Sequence, residues 1–202
     1  MPGHYITVNG HNIFGYSRYI NFYHNIVMNA EDDALFVELG SFLGQSTAAM
    51  AAYIKGSGKR IQFDAVDIFE LTDFSDEPHF QVIADHGGDF LAAFKHNLEE
   101  AQVSDAVTIV KATSLEAAEK YADRSISFLM IDASHKYDDV VDDIRAWFPK
   151  LKMGGIMSGD DLDWPEVKQA VEDTLKHYGV YEHSTWYLRK QTETIEQHHA
   201  LT

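Results

Sequence analysis

Short apolar runs that alternate with helical stretches constrain this chain more than any other feature of its sequence. Ala34-Leu35-Phe36-Val37-Glu38 is one such run, and it stops just before Gly40. Others read as strands at Ile61 to Asp67, Val107 to Lys111, Ile126 to Asp132 and Ile156 to Ser158. Helical patterns fill the spaces between them, at Ser46 to Lys55, Asp89 to Val103 and Ser114 to Tyr121. Val140, Val141, Ile144, Trp147, Phe148 and Leu151 recur at helical spacing, and Lys152-Met153-Gly154-Gly155 is expected to end that helix. Trp164 to His177 reads as a further helix with Pro165 in its first turn, and Val180 to Arg189 as two short strands. This succession implies an α/β domain with a mostly parallel sheet and helices on both faces.

The length, 202 residues, suits one domain. Residues 31–190 are expected to form it. Residues 1–30 are expected to be an arm or lid, irregular over 1–17, followed by a helix from Tyr19 to Met28, and 191–202 a mobile tail. Residues 70–87, acidic and irregular, read as a functional loop. Tyr5, Phe14, Tyr16, Phe74 and Phe80 are candidate lid residues over a site, while Trp147, Phe148 and Trp164 are expected in the core.

Charge narrows the partners. With 16 basic and 32 acidic residues the formal charge is −16, a field that repels phosphate backbones and anionic membrane surfaces. Neither nucleic acid nor a membrane is expected as partner; a small molecule is, and a homo-oligomer is compatible with the sequence. No cysteine is present, which suits a reducing, cytoplasmic compartment. Met1-Pro2-Gly3-His4 lacks the basic region and apolar run of a signal peptide, and no apolar stretch is long enough to span a bilayer.

The turn after the first strand of the alternation, Glu38-Leu39-Gly40-Ser41-Phe42-Leu43-Gly44-Gln45-Ser46-Thr47, lies where doubly wound sheets bind ligands. Gly40 permits a tight turn, and Gly44 is expected to let the helix start close to a ligand. The dinucleotide fingerprint G-x-G-x-x-G is not met, because Phe42 stands at its second glycine and crowds a pyrophosphate. Glu38 can take an amino group, directly or through water. Asp67, at the end of the next strand, is placed to accept hydrogen bonds from ribose hydroxyls. The pair points to a nucleoside site.

With these residues in view, the sequence resembles class I S-adenosylmethionine (SAM)-dependent methyltransferases. It is most similar to a branch with E-x-G-S-x-x-G-x-S-T after the first strand and I-D-x-x-H-x-Y after the fourth. Here the second motif reads Ile131-Asp132-Ala133-Ser134-His135-Lys136-Tyr137. Pro149-Lys150-Leu151-Lys152-Met153-Gly154-Gly155-Ile156 resembles the family's P-x-L-K-x-G-G-I segment. The resemblance implies a Rossmann-like class I methyltransferase fold, a seven-stranded sheet with an antiparallel last strand. It implies SAM as cofactor, with Glu38, Gly40, Ser41, Gly44, Ser46 and Thr47 at its methionine end, Asp67 on the ribose, Ser114 near the adenine and Asp132 beside it.

Asp132, Asp160 and Asp161 end neighbouring strands, so three carboxylates are expected to converge. Such a cluster favours a compensating Mg²⁺ or another divalent cation. The spacing is similar to that of catechol-type and macrocin-type metal-dependent O-methyltransferases, which implies Asp132, Asp160 and Asp161 as metal ligands. His135, three residues after Asp132, is placed to take an acceptor's proton, so His135 and Asp132 are the expected catalytic residues. The function implied is SAM-dependent O-methylation of a small-molecule or sugar hydroxyl, with a metal as possible assistant. Two other readings stay open: an NAD-type Rossmann oxidoreductase, and a SAM-binding module without catalysis.

Overall fold

The structure, a computed structural model, describes residues 3–71, 77–182 and 184–198. Two strands, β1 (His4–Val8) and β2 (His11–Gly15), open the chain as an antiparallel hairpin. The helix α1 (Ile20–Asn29) follows. Then come β3 (Ala34–Leu39), α2 (Gln45–Ser57), β4 (Ile61–Asp67), α3 (Glu77–Asp85), α4 (Phe90–Glu100), β5 (Thr108–Lys111) and α5 (Ser114–Ala118). The chain continues through β6 (Ile126–Ile131), α6 (Tyr137–Trp147), β7 (Leu151–Gly159), α7 (Pro165–Leu175), β8 (Gly179–Tyr181), β9 (Thr185–Arg189) and α8 (Ile195–His198).

Seven strands form one sheet in the order β5-β4-β3-β6-β7-β9-β8. The first five in that order run parallel; β9 pairs antiparallel with β7, and β8 with β9. The order reverses at β3, where β4 lies on one side and β6 on the other, so a crevice opens at the carboxyl ends of these strands. This is the Rossmann-like arrangement expected from the sequence, with its antiparallel end.

Strand residues alternate between two cores. Phe36, Phe63 and Phe128 face α1, α2 and α4, while Val37, Val66 and Leu129 face α5, α6 and α7. A sheet covered on both faces needs strands apolar along most of their length, which is why β3 and β6 read as apolar runs broken only by Glu38 and Ser127. On α6, Val140, Val141, Ile144 and Trp147 form the buried stripe that their spacing predicts.

Four expectations change. Residues 4–15 are not irregular: Asn9 and Gly10, at φ +48° and +91°, turn the hairpin β1–β2. The hairpin is anchored by Gln45, whose Nε2 donates to His4 O (2.7 Å) and Ile13 O (3.1 Å), and by Asn9 Nδ2, which donates to Ala101 O (2.8 Å). These contacts tie the hairpin to the start of α2 and to the end of α4. Second, the acidic stretch 70–87 carries α3. Third, α6 ends at Trp147, and Lys152 to Gly155 belong to β7; Gly154, at φ +79°, donates its N–H to Lys190 O at the edge of that strand. Fourth, the tail includes the one-turn helix α8, whose His198 is buried and hydrogen-bonded to His177 O at 2.8 Å. Among the described residues no helix is long and apolar enough to cross a membrane.

Candidate active site

A cavity of about 870 Å³ opens over the carboxyl ends of β3, β4, β6 and β7. Its size lies toward the upper end of the roughly 300–1,000 Å³ common for ligand sites, room enough for two small molecules together. One half is lined by Gly40, Ser41, Ser46, Asp67 and Ser114 with apolar neighbours such as Phe42 and Phe90. The other half is lined by Asp132, His135, Asp160, Asp161 and Trp164. The N-terminal segment supplies a wall through Gly15, Tyr16 and Arg18.

The glycine turn is held by close backbone approach. Gly40 has φ +82°, and a Cβ there would stand 1.9 Å from the carbonyl oxygen of Asp132. Gly40 N–H donates to Val66 O (2.9 Å) and Asp132 N–H to Leu39 O (2.8 Å), so the ends of β3, β4 and β6 are tied at one point. Gly44, at φ +85°, is the N-cap of α2 and faces Phe94 rather than the cavity. Its glycine is needed for the left-handed backbone, not for ligand access.

Glu38 is fully buried and does not line the cavity. Its Oε1 accepts from Tyr23 Oη at 2.8 Å; its Oε2 accepts from Thr47 Oγ1 and, at 3.4 Å, from Ser41 Oγ. Burial raises its pKa, and hydroxyls from Thr47, Ser46, Tyr23 and Ser41 pull it back. The expectation of direct contact with an amino group is therefore corrected: Glu38 gathers the hydroxyls of the turn from beneath. Thr47 is also fully buried, in the same network.

Asp67 does line the cavity. Its Oδ2 accepts from the N–H groups of Ser41 (2.8 Å) and Phe42 (3.1 Å), and its Oδ1 from Phe69 N–H (2.7 Å). Burial lifts its pKa, and these three donors oppose the lift. Ser41 thus joins both acids, through its N–H to Asp67 and its hydroxyl to Glu38. Ser114 starts α5 at the cavity, where its Oγ accepts from Trp147 Nε1 at 2.8 Å. Ser114 also bonds Asp143, a buried acid of α6 whose pKa burial pushes up to about 6.

In the second half, Tyr19 Oη donates to Asp132 Oδ2 at 2.6 Å. Burial and then the charges of Asp161 and Asp160 raise the Asp132 pKa well above the carboxylate range. His135 Nε2 lies 2.7 Å from Asp161 Oδ2, a hydrogen bond that raises the imidazole pKa against the opposing effect of burial. The His135 ring stacks on Trp164 at 4.6 Å between centroids and 17° between planes. Trp164 is 49% exposed, so its expected place in the core is corrected; Trp147 and Phe148 are buried as expected.

The expected trio of Asp132, Asp160 and Asp161 is only partly assembled. Asp160 turns one oxygen to Ser184 Oγ (2.7 Å) and Thr185 Oγ1 (3.1 Å) of the antiparallel edge. Among the described residues, the atoms placed to share a cation belong to Asp132, His135 and Asp161, all within 4.8 Å of one another. Two carboxylates and an imidazole are a donor set that fits a divalent ion.

Of the lid candidates, Tyr16 lines the cavity and packs between Phe14 and Phe42. Tyr5 and Phe80 are exposed, Tyr5 against Phe14. Phe74 lies outside the described residues. Tyr19, Tyr23 and Arg18 carry no signal in the sequence; the stretch 18–23 that enters α1 has no motif.

A family model described as a methyltransferase domain matches residues 37–162. Among solved structures, the chain is similar to CalS11, a calicheamicin methyltransferase, at 16% identity and a TM-score of 0.58, covering 84% of this chain and 76% of that one. Cofactor-bound Rv0187 from MTB matches at 16% identity and TM-score 0.60, over 88% of this chain and 82% of that one. The O-methyltransferase NovP matches at 16% identity and TM-score 0.58, over 86% and 79%. At these identities the likeness is one of fold. No curated protein matches the sequence.

Proposed function

The chain belongs to the methyltransferase-domain family, and from that premise we propose that it transfers a methyl group from SAM to a hydroxyl of a small-molecule acceptor. The observation that carries the reading is the turn Gly40–Ser46 and Asp67 at the switch point of the sheet, sharing a cavity with a histidine–aspartate pair. SAM, when bound, supplies a methyl carbon already activated by sulfonium charge.

The chain's own residues do the rest. Asp67 and the N–H groups of the 40–42 turn form the ribose end, and Ser114 with Asp143 the adenine end. A cofactor there requires Asp67 to exchange some of its turn contacts for ribose hydroxyls. Glu38 fixes Ser41 and Ser46 beneath the methionine end. His135 takes the acceptor's proton as the oxygen–carbon bond forms and the sulfur–carbon bond breaks, leaving S-adenosylhomocysteine (SAH). Asp161 holds Nε2 of the imidazole, which leaves Nδ1 for that proton. Alignment of acceptor and methyl carbon by the two halves of the cavity supplies most of the acceleration. The O-methyltransferase activity in the names of similar folds, such as NovP, agrees with an oxygen acceptor.

A second reading rests on the proximity of Asp132, His135 and Asp161. These three would hold a divalent ion, which would polarise an acceptor oxygen and assist its deprotonation. Chelator separates the readings: transfer that survives excess chelator leaves His135 as the base, and transfer restored only by Mg²⁺ or Mn²⁺ assigns the three residues to the ion.

A thermal-shift panel of SAM, SAH, NAD and divalent ions tests the main reading. SAM and SAH are expected to raise the melting temperature and NAD to leave it unchanged. Stabilisation by NAD alone would point to an oxidoreductase. His135→Ala is expected to keep SAH binding and to lose about 100-fold or more in transfer rate, the scale of a general base.

A further inference from the structure

We propose that the acceptor is an aromatic acid, its ring lying against Trp164 and its carboxylate on Arg18, an inference that rests on the methyl-transfer reading of the same cavity. Both residues stand outside the stretch 37–162 that the family model matches, so they belong to what this chain adds to the shared domain.

Arg18 sits between β2 and α1, and Trp164 is the N-cap of α7. They meet across the cavity's second half: Arg18 Nη1 lies 3.8 Å from Oδ2 of Asp163, the neighbour of Trp164. That distance is beyond hydrogen-bond length, and Nη1 is buried with no hydrogen-bond partner among the described residues. A buried guanidinium nitrogen left without an acceptor is unfavourable, and a ligand oxygen that draws the fork toward the cavity relieves it.

Charge selects the kind of anion. Eight acidic residues line the cavity, and among its described lining residues Arg18 is the only lysine or arginine. Several of the acids are already engaged, Asp67 by three N–H groups and Asp160 by two hydroxyls. One guanidinium offsets one negative charge, so a carboxylate fits and a phosphate dianion does not. The planar fork of arginine also matches a carboxylate in two-point geometry.

Trp164 supplies the flat surface. Trp147 and Trp186 are buried to 1% exposure or less, whereas Trp164 keeps 49% of its surface open at the cavity rim. Its stack on His135 holds the indole beside the proposed base. An aromatic ring laid on that indole gains offset-stacking contact that an aliphatic acid lacks.

Calorimetry on the full chain loaded with SAH tests this, with protocatechuate, catechol, phenyl phosphate and benzylamine as probes. Protocatechuate is expected to bind at least about tenfold tighter than catechol, the scale of one charge-assisted hydrogen-bonded contact. Arg18→Met is expected to erase that difference and Arg18→Lys to keep part of it. Trp164→Leu is expected to weaken protocatechuate and catechol alike. Equal binding of protocatechuate and catechol, a preference that survives Arg18→Met, or tighter binding of phenyl phosphate or benzylamine overturns the inference. SAH affinity of the wild type, measured in the same titrations, separates the two levels: no SAH binding removes the methyl-transfer reading itself, while SAH binding without the carboxylate preference removes only the acceptor assignment.

Discussion

The hydroxyl of Tyr19 donates a 2.6 Å hydrogen bond to Oδ2 of Asp132, joining the N-cap of α1 to the end of β6 across 113 residues of sequence. Four residues on, Tyr23 does the same for Glu38 at the end of β3. The two rings stand 4.9 Å apart and both are buried. The helix α1 and its N-cap, outside the matched methyltransferase domain, therefore secure both acids, Asp132 at the cavity and Glu38 beneath it. Removing the donor leaves a buried acceptor short of a partner, so Tyr19→Phe is expected to destabilise the fold by about 1–3 kcal/mol. Urea unfolding measures this; an unchanged midpoint would show that Asp132 finds another donor.

Gly40 carries the sharpest steric prediction. Its φ of +82° and the Asp132 carbonyl 1.9 Å from a built Cβ leave no space for a side chain. Gly40→Ala is expected to cost about 2–5 kcal/mol, combining backbone strain with overpacking at the junction of three strands. Gly10 serves as control: it also has positive φ, but nothing lies within 4 Å of its Cβ position. Gly10→Ala should therefore lose only the strain.

Asp143 predicts a pH dependence. Burial raises its folded pKa to about 6, so its contribution to stability is full below the unfolded carboxylate pKa of roughly 3.9 and is lost as pH rises through about 6. At neutral pH the ionised, buried group is a liability. Asp143→Asn is expected to be more stable than the wild type at pH about 7.5, by about 1–3 kcal/mol, and equal to it near pH 4. Melting temperatures of both proteins across that range check the sign; a gap that widens as pH falls would contradict it.

Much of the fold was legible because buried parallel strands are apolar along most of their length, and β3 and β6 are, broken only by Glu38 and Ser127. The turn at Gly40 and the acid Asp67 were legible for the same reason, since topology fixes where strand ends meet. The hairpin β1–β2 was missed although its signal was present: Asn9-Gly10 between two five-residue strands suits a tight hairpin turn. Polar residues such as His4, Asn12 and His11 obscured the strand pattern on either side. The register of β7 was missed because its start pairs irregularly with β6, between Ile126 and Phe128, and its glycines resemble a helix end. Burial of Lys190 gave no sequence signal either. Its Nζ donates to the carbonyls of Phe148 (3.0 Å) and Leu151 (2.9 Å), a long-range partnership that closes the turn after α6. Residue type alone places Trp164 in the core, whereas its position at the N-cap of α7 leaves it exposed.

Asp67 organises the turn as well as lining the cavity, so its removal should act on binding and on order together. Asp67→Ala is expected to weaken SAH at least about tenfold, through lost contacts to both ligand and loop N–H groups. Asp67→Asn retains one carbonyl oxygen for Phe69 and should fall between. Identical SAH affinities for wild type and alanine variant would remove Asp67 from the site.

Titration calorimetry of the cofactor-stripped protein with SAM and with SAH is the most direct test of a nucleoside site over β3 and β4. One saturable site for each, in the micromolar range or tighter and weakened by Asp67→Ala, is the predicted result. Absence of binding heat for both compounds across a range of temperatures would contradict it.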